Sequence, residues 1–211
     1  MQIIKLENVD STHLYLKKYI KENGYKDPLC ILAKEQSDGI GSRGNTWLGE
    51  KGNLFMSFVF DKNCLSKDLP LQSSSIYFAY ILANILQKKG SKIWLKWPND
   101  FYINDKKLGG VLTTLSEDLI YCGIGMNLNF TTIDYGVLDL KINILSLLEK
   151  YFKNLESKIS WKYIFSQFKL EFYKSKSFKS TIKDEKISLA DSILAEDGSI
   201  IIQGKRVYSL R

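Results

Sequence analysis

Residues 73–89, SSSIYFAYILANILQKK, place the first constraint on what this chain can fold into. Their apolar side chains fall on most faces of a 3.6-residue helix, and Gly90 stands where a helix commonly ends on a glycine. Such a helix has almost no face to leave in water, so other elements must cover it on several sides. The chain has 211 residues, enough for one ordinary domain or one with a small appendage. Its 45% hydrophobic and 13% aromatic content supplies the cover and argues against a disordered chain. No stretch reaches the roughly 18 apolar residues of a membrane span. The start, MQIIKLENVD, lacks the apolar run of a signal peptide. A cytoplasmic protein with reduced thiols is expected.

The segments around that helix read mostly as strands. Ile3–Leu6 is a short strand, and Asp10-Ser11-Thr12 opens a helix that stops at Asn23-Gly24. Cys30–Ala33 and Leu54–Phe60 are apolar runs of strand length. Ile93–Lys96, Phe101–Ile103, Lys106–Thr114 and Leu119–Ile124 follow, the middle pair joined by an Asn104-Asp105 turn. Helical spacing returns over 138–152 and 160–173. Beyond it come short strands at Ile187–Leu189, Ile193–Ala195, Ser199–Gln203 and Val207–Leu210, with turns at Asp197-Gly198 and Gln203-Gly204. The expectation is an α+β fold: a mixed or antiparallel central sheet with packed helices over 1–175, and a small C-terminal β domain over 176–211.

Four short blocks carry chemistry. Gly39-Ile40-Gly41-Ser42-Arg43-Gly44 fits the dinucleotide fingerprint G-x-G-x-x-G. That fingerprint needs a helix directly after it, whose N-terminus holds the pyrophosphate. Here Asn45–Gly52 and then a strand follow, so the dinucleotide reading fails. The loop can still turn backbone N–H groups toward an anion, with Trp47 beside it to cover a flat ligand. Lys96-Trp97-Pro98-Asn99-Asp100 reads in isolation as a turn. Lys106-Lys107-Leu108-Gly109-Gly110 places two glycines in a strand, which often marks close approach of a ligand. Gly123-Ile124-Gly125-Met126-Asn127 reads as a strand end with a turn. Three scattered cysteines (Cys30, Cys64, Cys122) and the single histidine, His13, do not suit a zinc site.

In this order and spacing, with Lys107 seven positions after Asp100, the four blocks resemble biotin protein ligase. The resemblance runs over nearly the whole chain, to Ser209-Leu210-Arg211, and KWPND with KLGG is its specific part. It implies a catalytic domain of the class II aminoacyl-tRNA-synthetase type with a small C-terminal β-barrel-like domain. It implies formation of biotinyl-5′-AMP from biotin and ATP with Mg²⁺, the metal held through substrate phosphates, and transfer of biotin to a lysine of a biotin carboxyl carrier protein. By the same resemblance Ser11, Thr12, His13 and Gln36 contact biotin, and Ile40, Gly41 and Ser42 line the biotin and phosphate site. The family often has Asn at the His13 position. Gly39, Gly44, Trp47, Lys96, Asn99, Gly110 and Asn127 fall on the adenylate side, and Lys107 and Asp100 are catalytic positions.

The chemistry suits these residue types. A carboxylate must meet an α-phosphate, and a lysine between two anions stabilises the charge that develops. The family's loop usually reads G-R-G-R-x-G, and here Ile40 and Ser42 replace both arginines. Arg43, one of three arginines in the chain, is expected to take part of the anionic contact.

Other readings remain open at the level of sequence. A lipoate or octanoate ligase or transferase would share the fold and the lysine, and a non-catalytic biotin sensor or nucleic-acid module would not need Lys107. Sparse arginine argues against nucleic acid. A serine hydrolase would have only His13 as its base, at a helix start. No DNA-binding segment fits ahead of Met1–Asp10, so operator binding is not expected, nor is a membrane partner. A monomer or homodimer is compatible with the sequence. The net charge of +7 suits an acidic carrier domain, where complementarity raises the encounter rate.

Overall fold

The structure is a computed structural model, and it describes residues 1–41, 46–49, 51–129, 134–182 and 185–208. Strand β1 (Gln2–Val9) leads into helix α1 (Thr12–Asn23), capped by Ser11, whose Oγ accepts from the Leu14 N–H at 3.4 Å. Strand β2 (Leu29–Ile40) returns parallel to β1, with Val9 opposite Gln36. Strand β3 (Thr46–Gly49) folds back antiparallel on β2 and sets Trp47 opposite Gly39. A strand therefore follows the glycine loop, as the sequence reading required.

Strands β4 (Leu54–Asp61), β5 (Trp94–Lys96), β6 (Asp100–Ile103), β7 (Lys106–Ser116) and β8 (Leu119–Met126) complete an eight-stranded mixed sheet. Its order is β1-β2-β4-β8-β7-β6-β5, with β3 attached to β2. The two faces are covered differently. Helix α1 lays Leu16 and Ile20 on Ile31, Val59 and Tyr121. Helix α2 (Ser74–Gln87) lies on the other face, with α3 (Ile144–Glu156) and α4 (Trp161–Glu171) behind it. Every residue of α2 from Ser74 to Ala83 is buried, which satisfies the demand its composition makes. Each fully buried Phe, Ile or Leu there contributes about 1.5–3 kcal/mol of transfer free energy. Among the described residues no helix is long and apolar enough to cross a membrane.

Two expectations shift. The helix expected from 138 begins at Ile144, because Asn143 caps it and accepts from the Ser146 N–H at 3.0 Å. Leu138, Leu140 and Ile142 alternate with a period of two and pack on the core without helix, which mimicked helical spacing. The C-terminal region holds two small sheets. Strands β9 (Lys179–Ile182, unforeseen) and β10 (Glu185–Ser188) pair, and β11 (Ile193–Leu194), β12 (Ile200–Ile202) and β13 (Lys205–Val207) form the second. Gln203 and Gly204 both have positive φ, as the expected tight turn requires. The expected strand end at 209–210 lies outside the described residues. This region is tied to the body by tryptophans: Trp97 Nε1–H donates to the Gly198 carbonyl at 2.9 Å and Trp161 Nε1–H to that of Glu196 at 2.8 Å.

Candidate active site

The site opens on the α1 side of the sheet, and strand periodicity explains why there is room. In β8, Cys122, Ile124 and Met126 point into the α2 core, so Tyr121, Gly123 and Gly125 face α1. Gly110 pairs with Gly125 and Leu112 with Gly123, so Gly110 shares that face. The sheet floor thus lacks side chains at three neighbouring positions, Gly110, Gly123 and Gly125. A cleft open to solvent stands over it. One wall is the start of α1 and β2, with Ser11, Thr12, His13 and Gln36; the other carries Asn99, Asp100 and Lys107.

The first wall is a directed polar network. Thr12 donates to Gln36 Oε1 twice, from its backbone N–H at 2.7 Å and from its hydroxyl at 2.8 Å. Thr12 Oγ1 also lies 2.9 Å from Ser57 Oγ, in the middle of β4. His13 is buried, its Nδ1 has no partner, and its Nε2 is 3.4 Å from Thr114 Oγ1. Burial, reinforced by Lys17, pulls the His13 imidazole down to about 4.

That shift has a measurable consequence. Between about pH 4 and 6.5 the unfolded chain takes up a proton at this histidine that the folded chain refuses, so stability falls as pH drops through that window. Full passage costs about 3 kcal/mol. His13 is the only histidine. Denaturant melts of His13→Gln are therefore expected to lose most of the wild-type pH slope between pH 6.5 and 5; an unchanged slope would place the effect elsewhere.

The second wall is cationic. Asp100 Oδ1 is 2.6 Å from Lys107 Nζ, and Asp100 Oδ2 is 3.4 Å from Lys96 Nζ. Burial alone would raise the Asp100 carboxyl, but Lys107 and Lys96 outweigh it and hold it below the ordinary carboxylate range. Two ammonium groups on one carboxylate leave a net positive wall that attracts an anion. A β-bulge aims Lys107. Phe101 pairs with Gly109 and Tyr102 with Lys107, so Leu108 is the extra residue. Leu108 turns into the core, and Lys107 lines the cleft with Gly110. Asn99 closes the β5–β6 turn, its Nδ2–H donating to the Val111 carbonyl at 2.5 Å. The Trp97–Pro98 peptide in that turn is cis.

The structure brings most of the expected residues to one cleft: Ser11, Thr12, His13, Gln36, Ile40, Gly41, Trp47, Asn99, Asp100, Lys107 and Gly110 all line it. The Trp47 indole lies on Gly125, where a Cβ would come within 2.9 Å of Nε1. Three others do not line it. Gly39 lets β3 approach β2, since a Cβ there would meet the Trp47 carbonyl oxygen at 2.5 Å. Lys96 is buried behind Asp100. Asn127 pins the 136–138 segment, with Nδ2–H on the Gly136 carbonyl at 3.2 Å. Ser42, Arg43 and Gly44 lie outside the described residues. Sequence reasoning missed Ser57, Gly123 and Gly125 as cleft residues. Their signals were present: Ser57 is the sole hydroxyl in an apolar strand, and two glycines spaced by two strip one face of β8.

Residues 6–127, more than half of the chain, match the model of the biotin/lipoate A/B protein ligase family. The chain belongs to this family. Among the family's curated members, it is 30% identical over 138 residues to the bifunctional ligase/repressor BirA of Escherichia coli, a match covering 62% of this chain but only 42% of that protein. It is 28% identical over 133 residues to the biotin–[acetyl-CoA-carboxylase] ligase of Paracoccus denitrificans, covering 58% of this chain and 53% of the other. Among solved structures of such ligases, the biotin acetyl coenzyme A carboxylase synthetase of Helicobacter pylori, with bound biotinylated ATP, superposes with a TM-score of 0.93 at 38% identity. That match covers 98% of this chain and 99% of the other.

Proposed function

We propose that this protein activates biotin with ATP to biotinyl-5′-AMP and transfers the biotinyl group to a lysine of a biotin carboxyl carrier protein. The observation that carries this reading is the pairing of two walls beside a glycine floor: a hydrogen-bonding wall at Thr12, Gln36 and Ser57, and a cationic wall at Lys107, with Lys96 behind Asp100. The first suits the ureido ring of biotin, and the second suits the place where its carboxylate meets the α-phosphate. The likeness to the Helicobacter pylori synthetase with biotinylated ATP supports the same reading.

In the first step a carboxylate oxygen of biotin bonds to the α-phosphorus and pyrophosphate leaves. Lys107 faces both anions and neutralises the charge that gathers between them. In the second step the carrier amine attacks the acyl carbon of the mixed anhydride and AMP leaves. Trp47, over Gly125, shields the anhydride from water. Mg²⁺ would ride on the ATP phosphates and supply further neutralisation there. Among the described residues no cluster of three or more His, Cys, Asp or Glu could hold it, and Asp100 is the carboxylate that lines the cleft. Arg43, from its place in the loop sequence, would share the anionic contact. Residues 176–211 would act as a small β unit docked on the ligase body 1–175. The surplus of +7 favours an acidic carrier.

The test is exchange of labelled pyrophosphate into ATP. Exchange driven by biotin and not by lipoic acid is the expected result, with free biotinyl-AMP leaking faster from Arg43→Ala. Exchange driven by lipoic acid alone would overturn the assignment.

A further inference from the structure

We propose that Gly136 is a positioning residue for Lys107: it fastens the backbone of the β7 bulge and so sets where the Lys107 ammonium stands. This rests on the reading that Lys107 serves adenylate formation and deepens it. Gly136 does not line the cleft and belongs to none of the four sequence blocks, so its part is played through Lys107.

A bulge needs support from outside its own ladder. Leu108 has no opposite residue on β6, and the pairing of β7 with β8 stops at Gly109 and Met126. In a regular strand successive carbonyls point to opposite neighbours. Here Lys107 and Leu108 both give theirs to the chain that follows β8. The Lys107 carbonyl accepts from the Gly136 N–H at 2.8 Å, and the Leu108 carbonyl from the Asn127 N–H at 2.7 Å. Asn127 in turn holds Gly136 in place. Its Nδ2–H donates to the Gly136 carbonyl at 3.2 Å, and its own carbonyl accepts from the Leu138 N–H at 3.0 Å. Gly136 and Asn127 are both buried, so water does not stand in for these bonds.

Glycine is what lets the segment lie this close. A Cβ on Gly136 would stand 3.0 Å from the Lys106 carbonyl oxygen, 3.3 Å from Lys106 Cβ and 3.5 Å from Leu108 Cβ. The first of these is a backbone atom and cannot swing aside, so the backbone itself must give. Lys106 and Leu108 flank Lys107, and a shift in either is delivered to the residue between them. Leu108 is anchored: its side chain is fully buried and shares the core with Leu138. The displacement therefore falls on Lys107, whose side chain is partly exposed and whose contact with Asp100 at 2.6 Å leaves no slack. Small misplacements of a group that must meet reacting atoms cost rate steeply.

The experiment is a double-mutant cycle on single-turnover formation of biotinyl-AMP by the full chain, with Gly136→Ala made in wild type and in Lys107→Ala. A second variant carries an ester in place of the peptide bond between Tyr135 and Gly136. It removes the Gly136 N–H and adds no atom, so the cycle stands even where Gly136→Ala does not fold. Each change is expected to slow wild type at least threefold, with half-saturation by biotin unchanged within twofold. In the Lys107→Ala background each is expected to change the rate by less than twofold. A loss below threefold in wild type overturns the proposal. So does a loss above twofold in the Lys107→Ala background, because Gly136 would then act on the fold or on the nucleotide and not through Lys107. Should pyrophosphate exchange show lipoic acid and not biotin to be the acid activated, the biotin reading falls alone, and the same cycle with lipoic acid decides the role of Gly136. A chain that activates neither acid loses both.

Discussion

Lys107→Ala is expected to lower the maximal rate of biotin-dependent adenylate formation by roughly 10²–10³-fold, the loss of about 3–4 kcal/mol that follows removal of one preorganised group at a developing charge. The geometry explains why the loss should fall on kcat. Lys107 is held by Asp100 at 2.6 Å, which fixes its ammonium on the cleft wall. Lys96, 3.4 Å from the other oxygen, remains to hold Asp100 when Lys107 turns to the reacting anions. The reaction gathers charge that Lys107 faces, the one cation lining the cleft among the described residues. Rapid-quench measurement of biotinyl-AMP in a single turnover separates the steps. A kcat within threefold of wild type, or a loss confined to KM, would sink this role. Lys107→Arg is expected to recover only part of the rate, because the planar guanidinium replaces a point charge in a position set by the bulge at Leu108.

Much of this was legible in the residues, for definite reasons. The burial of α2 followed from apolar side chains on nearly every face, and the failure of the dinucleotide reading followed from a strand after the loop. Both are local properties. The parts that were not legible depend on parity between distant strands. Ser57 stood out as the sole hydroxyl of β4, but which face it takes, and so its contact with Thr12, was not legible, because β4 is buried on both faces and shows no alternation. KLGG could not reveal the bulge that sends Lys107 to the cleft and Leu108 to the core, since a bulge is a relation to the partner strand β6. KWPND looked like a turn and is one. That Trp97 also anchors the C-terminal sheets through Gly198, and that Lys96 works behind Asp100, are facts of packing.

The two glycines of KLGG looked alike in the sequence, and the structure assigns them opposite duties that substitution should separate. At Gly109 a Cβ would stand 2.6 Å from the Gly125 carbonyl oxygen, 3.1 Å from Met126 Cα and 3.1 Å from Phe101 Cδ2. Two of these are backbone atoms of β8, the next strand of the sheet, so neither can swing aside. Gly109→Ala is expected to cost about 2–4 kcal/mol of stability, at the upper end of overpacking penalties. For a chain of this length that lowers Tm by about 5–15 °C. At Gly110 the nearest atoms are Asp100 Oδ1 at 3.4 Å, the Asn99 carbonyl oxygen at 3.6 Å and Lys107 Cε at 3.8 Å, all ordinary contacts. Gly110→Ala should therefore change stability by less than about 1 kcal/mol, as surface substitutions do. Its methyl, however, enters the cleft beside the Asp100–Lys107 pair, and KM for biotin or ATP is expected to rise about tenfold, the effect of roughly 1.4 kcal/mol of lost binding. Thermal melts and steady-state kinetics on the two variants decide the matter. The reverse pattern, a stable Gly109→Ala with a raised KM and an unstable Gly110→Ala with unchanged kinetics, would show that the bulge does not place these residues as described.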